Sequence, residues 1–264
     1  DPALDACELA LNDCSLRGAI SFANAAPAGS VVTITIPADT YYCTRPGSAE
    51  DDNQTGDLDL RNNTIILHGY GRSLTILDGQ LQDRVLDNHT AHLTIEHLKI
   101  TQGQAPSGNL GGGGILNRGG GTLTLKDVLI QGNSVEGTEP YLDGGGGISN
   151  YGGTMLVDAS EVSVNTACKG GGILLASATT TISDSYVAHN TTKSDTGCGT
   201  GGGIGMNNGD LHTTIINTII EDNEASRGGG MFYNGQAGMI IDSTIRGNIT
   251  TSTAGGISNV GTLD

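Results

Sequence analysis

From Leu93 onward, apolar and polar positions follow one phrase that keeps returning. LTIEHLKITQG begins at Leu93, LTLKDVLIQGN at Leu123, MLVDASEVSVN at Met155, TTISDSYVAHN at Thr180, TTIINTIIEDN at Thr213 and GMIIDSTIRGN at Gly238. Inside the phrase, pairs such as Leu93/Ile95, Leu123/Leu125, Met155/Val157 and Thr213/Ile215 fall on one face, the period-two pattern of a half-buried strand. A second apolar position recurs at Ile100, Ile130, Val162, Val187, Ile220 and Ile245. After a gap of variable length comes a glycine run and one apolar residue: Ile115, Ile148, Ile173, Ile204, Met231 and Ile257. The period is roughly 25 to 33 residues, the range of stacked solenoid units. One such unit cannot bury its own apolar face. Stacking each strand on its equivalent in the next repeat gives parallel sheets and a continuous core. The expected fold is an all-β solenoid.

Two kinds of turn punctuate the repeat. Asn closes each phrase at Asn133, Asn165, Asn190, Asn223 and Asn248, with Gly103 in that slot in the first repeat. Asn and Gly tolerate the left-handed backbone best, so a turn with positive φ is expected there. Stacked Asn side chains can also hydrogen-bond along the solenoid axis. The glycine runs, such as LGGGGILNRGGG from Leu110 to Gly121, match no phosphate-cradling motif in a strand-to-helix setting. Their return at one point of every repeat excludes a linker. They are expected to form a coil corner, so Gly114 should tolerate a side chain less well than Gly108 in the neighbouring insert.

The N-terminal part differs. In DACELALNDCSLRGAISFANAAPAG, Leu16, Ala19, Ile20 and Ala23 fall at helical spacing behind a Ser15 N-cap. The terminal coil of a solenoid exposes an apolar cross-section that a capping element must cover. Residues 1–30 are therefore expected to be an N-terminal α-helical cap. Residues 31–264, opening with VVTITIPADTYYC, continue the same domain as the β-helix.

CSLRGAISFAN resembles the CSLREA motif that opens many bacterial secreted parallel β-helix proteins, with Gly18 where that family usually has Glu. NNTIILHGYGRSLTILDGQLQDRVLDNHTAHLTIEHLKITQG resembles their first coils. The later glycine-run phrases look like the repeats of polymorphic outer-membrane-protein and autotransporter-type passengers. Together these cover nearly the whole chain. The resemblance implies a right-handed parallel β-helix, export and often a surface anchor. It implies no single activity, since the fold carries adhesins, lyases, hydrolases and structural proteins.

Composition narrows the partners. Apolar residues are 36% and aromatics 3% of 264 residues, with no Trp, so the core must be thin and the shape elongated. Lys and Arg number 12 against 28 Asp and Glu, a formal net charge of −16. That disfavours nucleic acid and anionic membrane surfaces. No apolar run approaches the ~20 residues of a transmembrane helix. Asp1-Pro2 without an initiator Met suggests a processed mature N-terminus. The five cysteines fit no zinc spacing. Cys168 and Cys198 occupy equivalent places in successive repeats, one strand spacing (~4.8 Å) apart and within disulfide range. Cys7 and Cys14 could pin the cap, leaving Cys43 over or exchanging with one of them. Two disulfides would place the protein in a secreted or cell-surface setting.

Candidate chemistry is sparse. Lys99 and Lys126 sit at different offsets and form no row for a lyase. For a hydrolase's paired carboxylates, Asp222 and Glu224 flank Asn223, and Asp184 and Asp242 share a repeat position, but solvated surface carboxylates are the simpler reading. His89, His92 and His97 lack a helical zinc spacing, and alternation puts His92 and His97 on opposite faces. No cofactor is called for. Calcium is the one candidate ion, on Asp51, Asp52, Asp57 and Asp59 of a polar insert. The longer inserts project from one side of the solenoid, and Glu139, Pro140, Tyr141 and Leu142 are the candidates for a binding ridge. An outward threonine array (Thr94, Thr124, Thr181, Thr214) that could meet ice or a crystal surface is interrupted by Leu156 and Ile240. GGISNVGTLD ends where a further strand should begin, so another subunit or more chain is expected to cover that end, and head-to-tail stacking would make a filament. The reading that follows is a non-enzymatic extracellular or cell-surface structural or adhesive protein, a filament or surface-layer component. Its partners would be other protein subunits or surface glycans. The alternative is a carbohydrate-active enzyme, a polysaccharide lyase or glycoside hydrolase, on the same fold.

Overall fold

A computed structural model describes residues 14–47, 51–106, 110–137, 144–193, 198–207 and 212–264. The repeating phrase is one coil of a parallel β-solenoid. In the coil that starts at Leu93, the chain runs through strands His92–Glu96, Lys99–Thr101, Gln104–Ala105 and Ile115–Asn117, then enters the next coil at Thr122–Lys126. These four positions build four parallel sheets, here called A, B, D and C in the order the chain visits them. Among the described residues, A, B and C have eight strands each and D has six.

Register holds along the axis. In sheet A, Leu93 pairs with Leu123, Leu123 with Met155, Met155 with Thr180, Thr180 with Thr213 and Thr213 with Gly238. A one-residue slip would turn every inward side chain outward. The inward set is sealed: Ile65, Leu67, Leu93, Ile95, Leu123 and Leu125 are at most 1% exposed. Each such side chain contributes about 1.5–3 kcal/mol. The interior is a thin filling of aliphatic side chains, which explains the near absence of aromatics.

The corners correct one expectation. The left-handed residue is not the repeated Asn but the one before it. At the B-to-D corner, positive φ falls on Gln102 (54°), Gly132 (70°), Val164 (57°), His189 (55°), Asp222 (53°) and Gly247 (63°). The left-handed residue bends the backbone so that the following Asn points inward. There, the expected axial ladder forms. Nδ2 of Asn133, Asn165, Asn190 and Asn223 donates to Oδ1 of Asn165, Asn190, Asn223 and Asn248, at 3.1, 3.0, 3.0 and 3.0 Å. A second, shorter ladder joins Asn88 to Asn117 (2.7 Å) and Asn117 to Asn150 (2.8 Å) beneath sheet C.

The glycine runs form the D-to-C corner, as expected. A Cβ on Gly114 would lie 2.7 Å from the Gly147 carbonyl oxygen, one on Gly147 2.8 Å from that of Gly172, and one on Gly172 2.7 Å from that of Gly203. Each glycine is thus required because the next coil's backbone takes the side-chain space. Gly108 lies outside the described residues.

The helix α1, Leu16–Ala25, covers the first coil. Ser15 Oγ accepts from the Gly18 amide at 3.0 Å, and Ile20 and Ala23 are fully buried. Asn63 Nδ2 closes the other end, donating to Ala23 O and Ala26 O at 3.0 Å each. Residues 51–59, read from sequence as part of a polar insert outside the coils, belong to the structure beneath the cap instead. Leu58–Leu60 is the first strand of sheet C, and Asp57 and Asp59 are 4% and 1% exposed. Cys168 and Cys198 form the expected disulfide across adjacent coils, with Cα atoms 4.6 Å apart. Cys14 is disulfide-bonded and Cys43 is a free thiol; Cys7 lies outside the described residues.

Candidate functional site

At the A-to-B corner, a second column of left-handed residues stands in line: His97 (φ 55°), Asp127 (51°), Ala159 (47°), Asp184 (50°), Asn217 (45°) and Asp242 (48°). A left-handed residue interrupts strand alternation, so its side chain projects from the corner. Beside this column run the first residues of the B strands, among them Glu161, Tyr186 and Thr244. Between the two rows lies a groove of about 460 Å³. Hydroxyls stiffen its floor. Ser160 Oγ accepts from the Val128 amide at 3.0 Å, Ser185 Oγ from Ser160 at 3.1 Å, and Ser243 Oγ from Thr218 at 3.1 Å.

The groove wall is acidic and hydrogen-bonded. Asn217 Nδ2 donates to Asp184 Oδ1 at 2.5 Å. Tyr186 donates its phenolic proton to Glu221, which also binds Arg246. That hydrogen bond to Glu221, with burial adding to it, pushes the Tyr186 phenol up to about 12. Asp184 and Asp242, placed together by the repeat, both line the groove. They stand two coils apart, about 9.6 Å by strand spacing, with Asn217 between them. Asp222 and Glu224 lie at the B-to-D corner, across sheet B from the groove. The groove lining offers carboxylates, an amide and hydroxyls to solvent.

At one end of the groove, Arg72 binds Asp127 at 3.1 Å. Asp127 also accepts from His97 Nδ1 at 2.9 Å. His97 packs edge-on against His68, ring centres 5.3 Å apart, and His68 Nδ1 lies 3.1 Å from Glu96 Oε2. The expected opposition of His92 and His97 does not hold. Both project outward, because the left-handed backbone at His97 resets the alternation. His92 bonds Thr122 Oγ1 at 2.9 Å. His89, His92 and His97 form no cluster; His97's partner is His68, one coil back.

The four calcium candidates separate. Asp57 binds Arg84 at 2.8 Å and Asp52 binds Arg61 at 3.1 Å. Asp51 and Asp59 do meet, joined by Asp87, with oxygens within 4.8 Å of one another. Three oxygen donors suit a hard cation, but Arg118 already bridges Asp51 (2.5 Å) and Asp87 (2.8 Å). Burial pushes the Asp57 carboxyl up to about 9, against the opposing pull of Arg84. Arg17 and Arg84, both buried, were not singled out by the sequence, because nothing in the linear pattern marks a charge that turns inward. A cavity of about 330 Å³ beside α1 is lined by Cys14 and Cys43, among others. Burial raises the Cys43 thiol to about 11, despite nearby Arg17.

The ridge candidates Glu139, Pro140, Tyr141 and Leu142 lie outside the described residues. The threonine column is Thr33, Ile66, Thr94, Thr124, Leu156, Thr181, Thr214 and Met239. Its last interruption is therefore Met239 and not Ile240, which pairs with Ile215 on the inward side. A parallel outward column two residues earlier adds Thr64, Thr122, Thr154 and Thr179. No family model, curated protein or solved structure gives a significant match to this chain.

Proposed function

We propose that the protein is a non-enzymatic, extracellular or cell-surface structural and adhesive solenoid that presents its outer faces to surface glycans or to other protein subunits, its own copies included. The observation that carries this reading is the interior. An asparagine ladder runs through five successive coils, every member tied to the next by its side chain. Buried, fully satisfied polar networks rigidify and specify one structure. No asparagine of this ladder lines the corner groove or the cavity beside α1, which supports a role in stiffness. The disulfide between adjacent coils supports an oxidising compartment. The resemblance to CSLREA-type secreted β-helices and surface passengers supports the same location. On this reading the corner groove and the hydroxyl-bearing face of sheet A are contact surfaces.

One observation favours a carbohydrate-active enzyme as the second reading: Glu161, Asp184 and Asp242 share one groove with Tyr186. The spacing of Asp184 and Asp242 stands at the outer limit for inverting glycosidases, roughly 6.5–9.5 Å. The purified chain should bind immobilised glycans or cell-wall material, or assemble into rods visible by electron microscopy, and release no product from a panel of polysaccharides. Turnover that disappears in Asp184→Asn or Asp242→Asn would overturn the structural reading in favour of the enzyme.

A further inference from the structure

We propose that His68, Glu96 and His97 form a binding site for a first-row divalent metal ion of zinc's chemistry. One ligand atom from each lies within 4.8 Å of the other two. Two imidazoles and one carboxylate are a donor set suited to zinc, and a three-residue set leaves a fourth position open.

The fold produces this grouping in two steps. His68 and Glu96 are partners in adjacent strands of sheet A, so the parallel register sets them side by side on the outer face. In a continuing strand, the residue after Glu96 would point inward. His97 instead adopts φ 55°, which turns its side chain out beside Glu96 and against His68. Sequence neighbours thus become two ligands of one site, and the third comes from the coil before.

A supporting shell is also in place. His97 Nδ1 donates to Asp127 Oδ2 at 2.9 Å, which fixes the tautomer and leaves Nε2 with the lone pair. Carboxylates hold metal-ligating histidines in this way. Arg72, bound to the other oxygen of Asp127, keeps that carboxylate oriented. Glu96 is held in place by both its neighbours, with Oε2 3.1 Å from His68 Nδ1 and Oε1 3.3 Å from Lys126 Nζ. Lys126 contacts Glu96 Oε1 at 3.3 Å with half its side chain in solvent, so it can swing away as a cation enters. His68 and His97 are about half exposed, which gives the ion a path from solvent.

The test is Zn²⁺ titration of the chelator-treated full chain by calorimetry, with imidazole NMR as a second readout. One saturable equivalent is expected, with the His68 and His97 ring signals shifting and that of His212 unmoved. His68→Gln, His97→Gln and Glu96→Gln should each weaken binding at least tenfold. Asp127→Asn should weaken it about 10- to 100-fold with stoichiometry unchanged. His89→Gln and His92→Gln should bind like the parent. Absence of a saturable equivalent, binding indifferent to His68→Gln and His97→Gln, or ring shifts confined to other histidines would overturn the proposal. If a variant fails to fold, the NMR titration of the unmodified chain decides alone.

Discussion

The ring of Tyr233 fills the interior space that a side chain at Gly238 would need: a Cβ built on Gly238 would overlap it. Tyr233 is fully buried in a chain with almost no large aromatics inside. The trade runs along the axis. Sheet A's inward column shrinks through Met155, Thr180, Thr213 and Gly238. The facing strands of sheet C carry Asn150, Leu175, Met206 and Tyr233 at the equivalent place, so volume is passed from one wall to the other at native packing density.

Gly238→Thr should therefore destabilise the chain by about 1–3 kcal/mol through overpacking. Adding Tyr233→Met copies the preceding coil's Met206 and Thr213 and should recover most of the loss. Urea midpoints of the two single variants and the double variant measure the coupling. Additive losses would mean that the two side chains do not share one space.

Asn190 makes four ladder bonds. Its Nδ2 donates to Val162 O (2.9 Å) and Asn223 Oδ1 (3.0 Å), and its Oδ1 accepts from the Asn165 amide and side chain, both at 3.0 Å. Asn190→Leu fills the space but strands these partners in an apolar interior, where each unsatisfied group costs about 1–3 kcal/mol. A loss of at least about 3 kcal/mol in chemical denaturation is expected. Asn248→Leu, at a partly solvated rung, should lose less. Equal losses would show that burial of the ladder does not set its strength.

The solenoid, its coil phase, the α1 cap with Ser15 and the Cys168–Cys198 bridge were legible because each repeats or follows a local rule. The direction of the asparagines was not. Asn suits a left-handed turn and an inward ladder equally, and the deciding position before it holds residues as different as Val164, His189 and Gly132. Propensity would never assign Val164 to positive φ. Contacts between coils were hidden for another reason. His68 and His97, or Asp51, Asp59 and Asp87, meet only once the irregular gaps between phrases are set in register, and gap lengths carry no register of their own. The grouping of the calcium candidates was hidden for the same reason: chain proximity placed Asp52 and Asp57 with Asp51 and Asp59, while the coil sends them to Arg61 and Arg84.

The disulfide closes a segment 30 residues apart in sequence. In the chain-entropy description, a loop of that length stabilises by about 3–4 kcal/mol. Cys168→Ala with Cys198→Ala should lower the thermal midpoint accordingly, and mild reduction should lower that of the parent by more than that of the double variant, which keeps only the Cys14 disulfide. A parent indifferent to reduction would mean that the coil stack alone holds this segment.

Asp57 ties stability to pH. Burial keeps its carboxyl protonated in the folded chain up to about 9, whereas the unfolded group titrates near 3.8. Below that lower value both states carry the proton and the contribution to stability is complete. Between the two values only the unfolded chain has released it, so raising the pH favours unfolding, with a slope of up to about 1.4 kcal/mol per pH unit. Above about 9 both states are ionised and the slope vanishes. Asp57→Asn removes the titration but keeps the shape, so its stability relative to the parent should rise steadily from pH 5 to pH 9. Glu96 acts in the opposite sense, its lowered value giving stability that is lost on acidification, but it is common to both chains and cancels in the difference. Melting curves of the two proteins across that range decide the matter. Parallel curves would mean that Asp57 is ionised against Arg84 throughout, and that the ion pair outweighs burial beneath the cap.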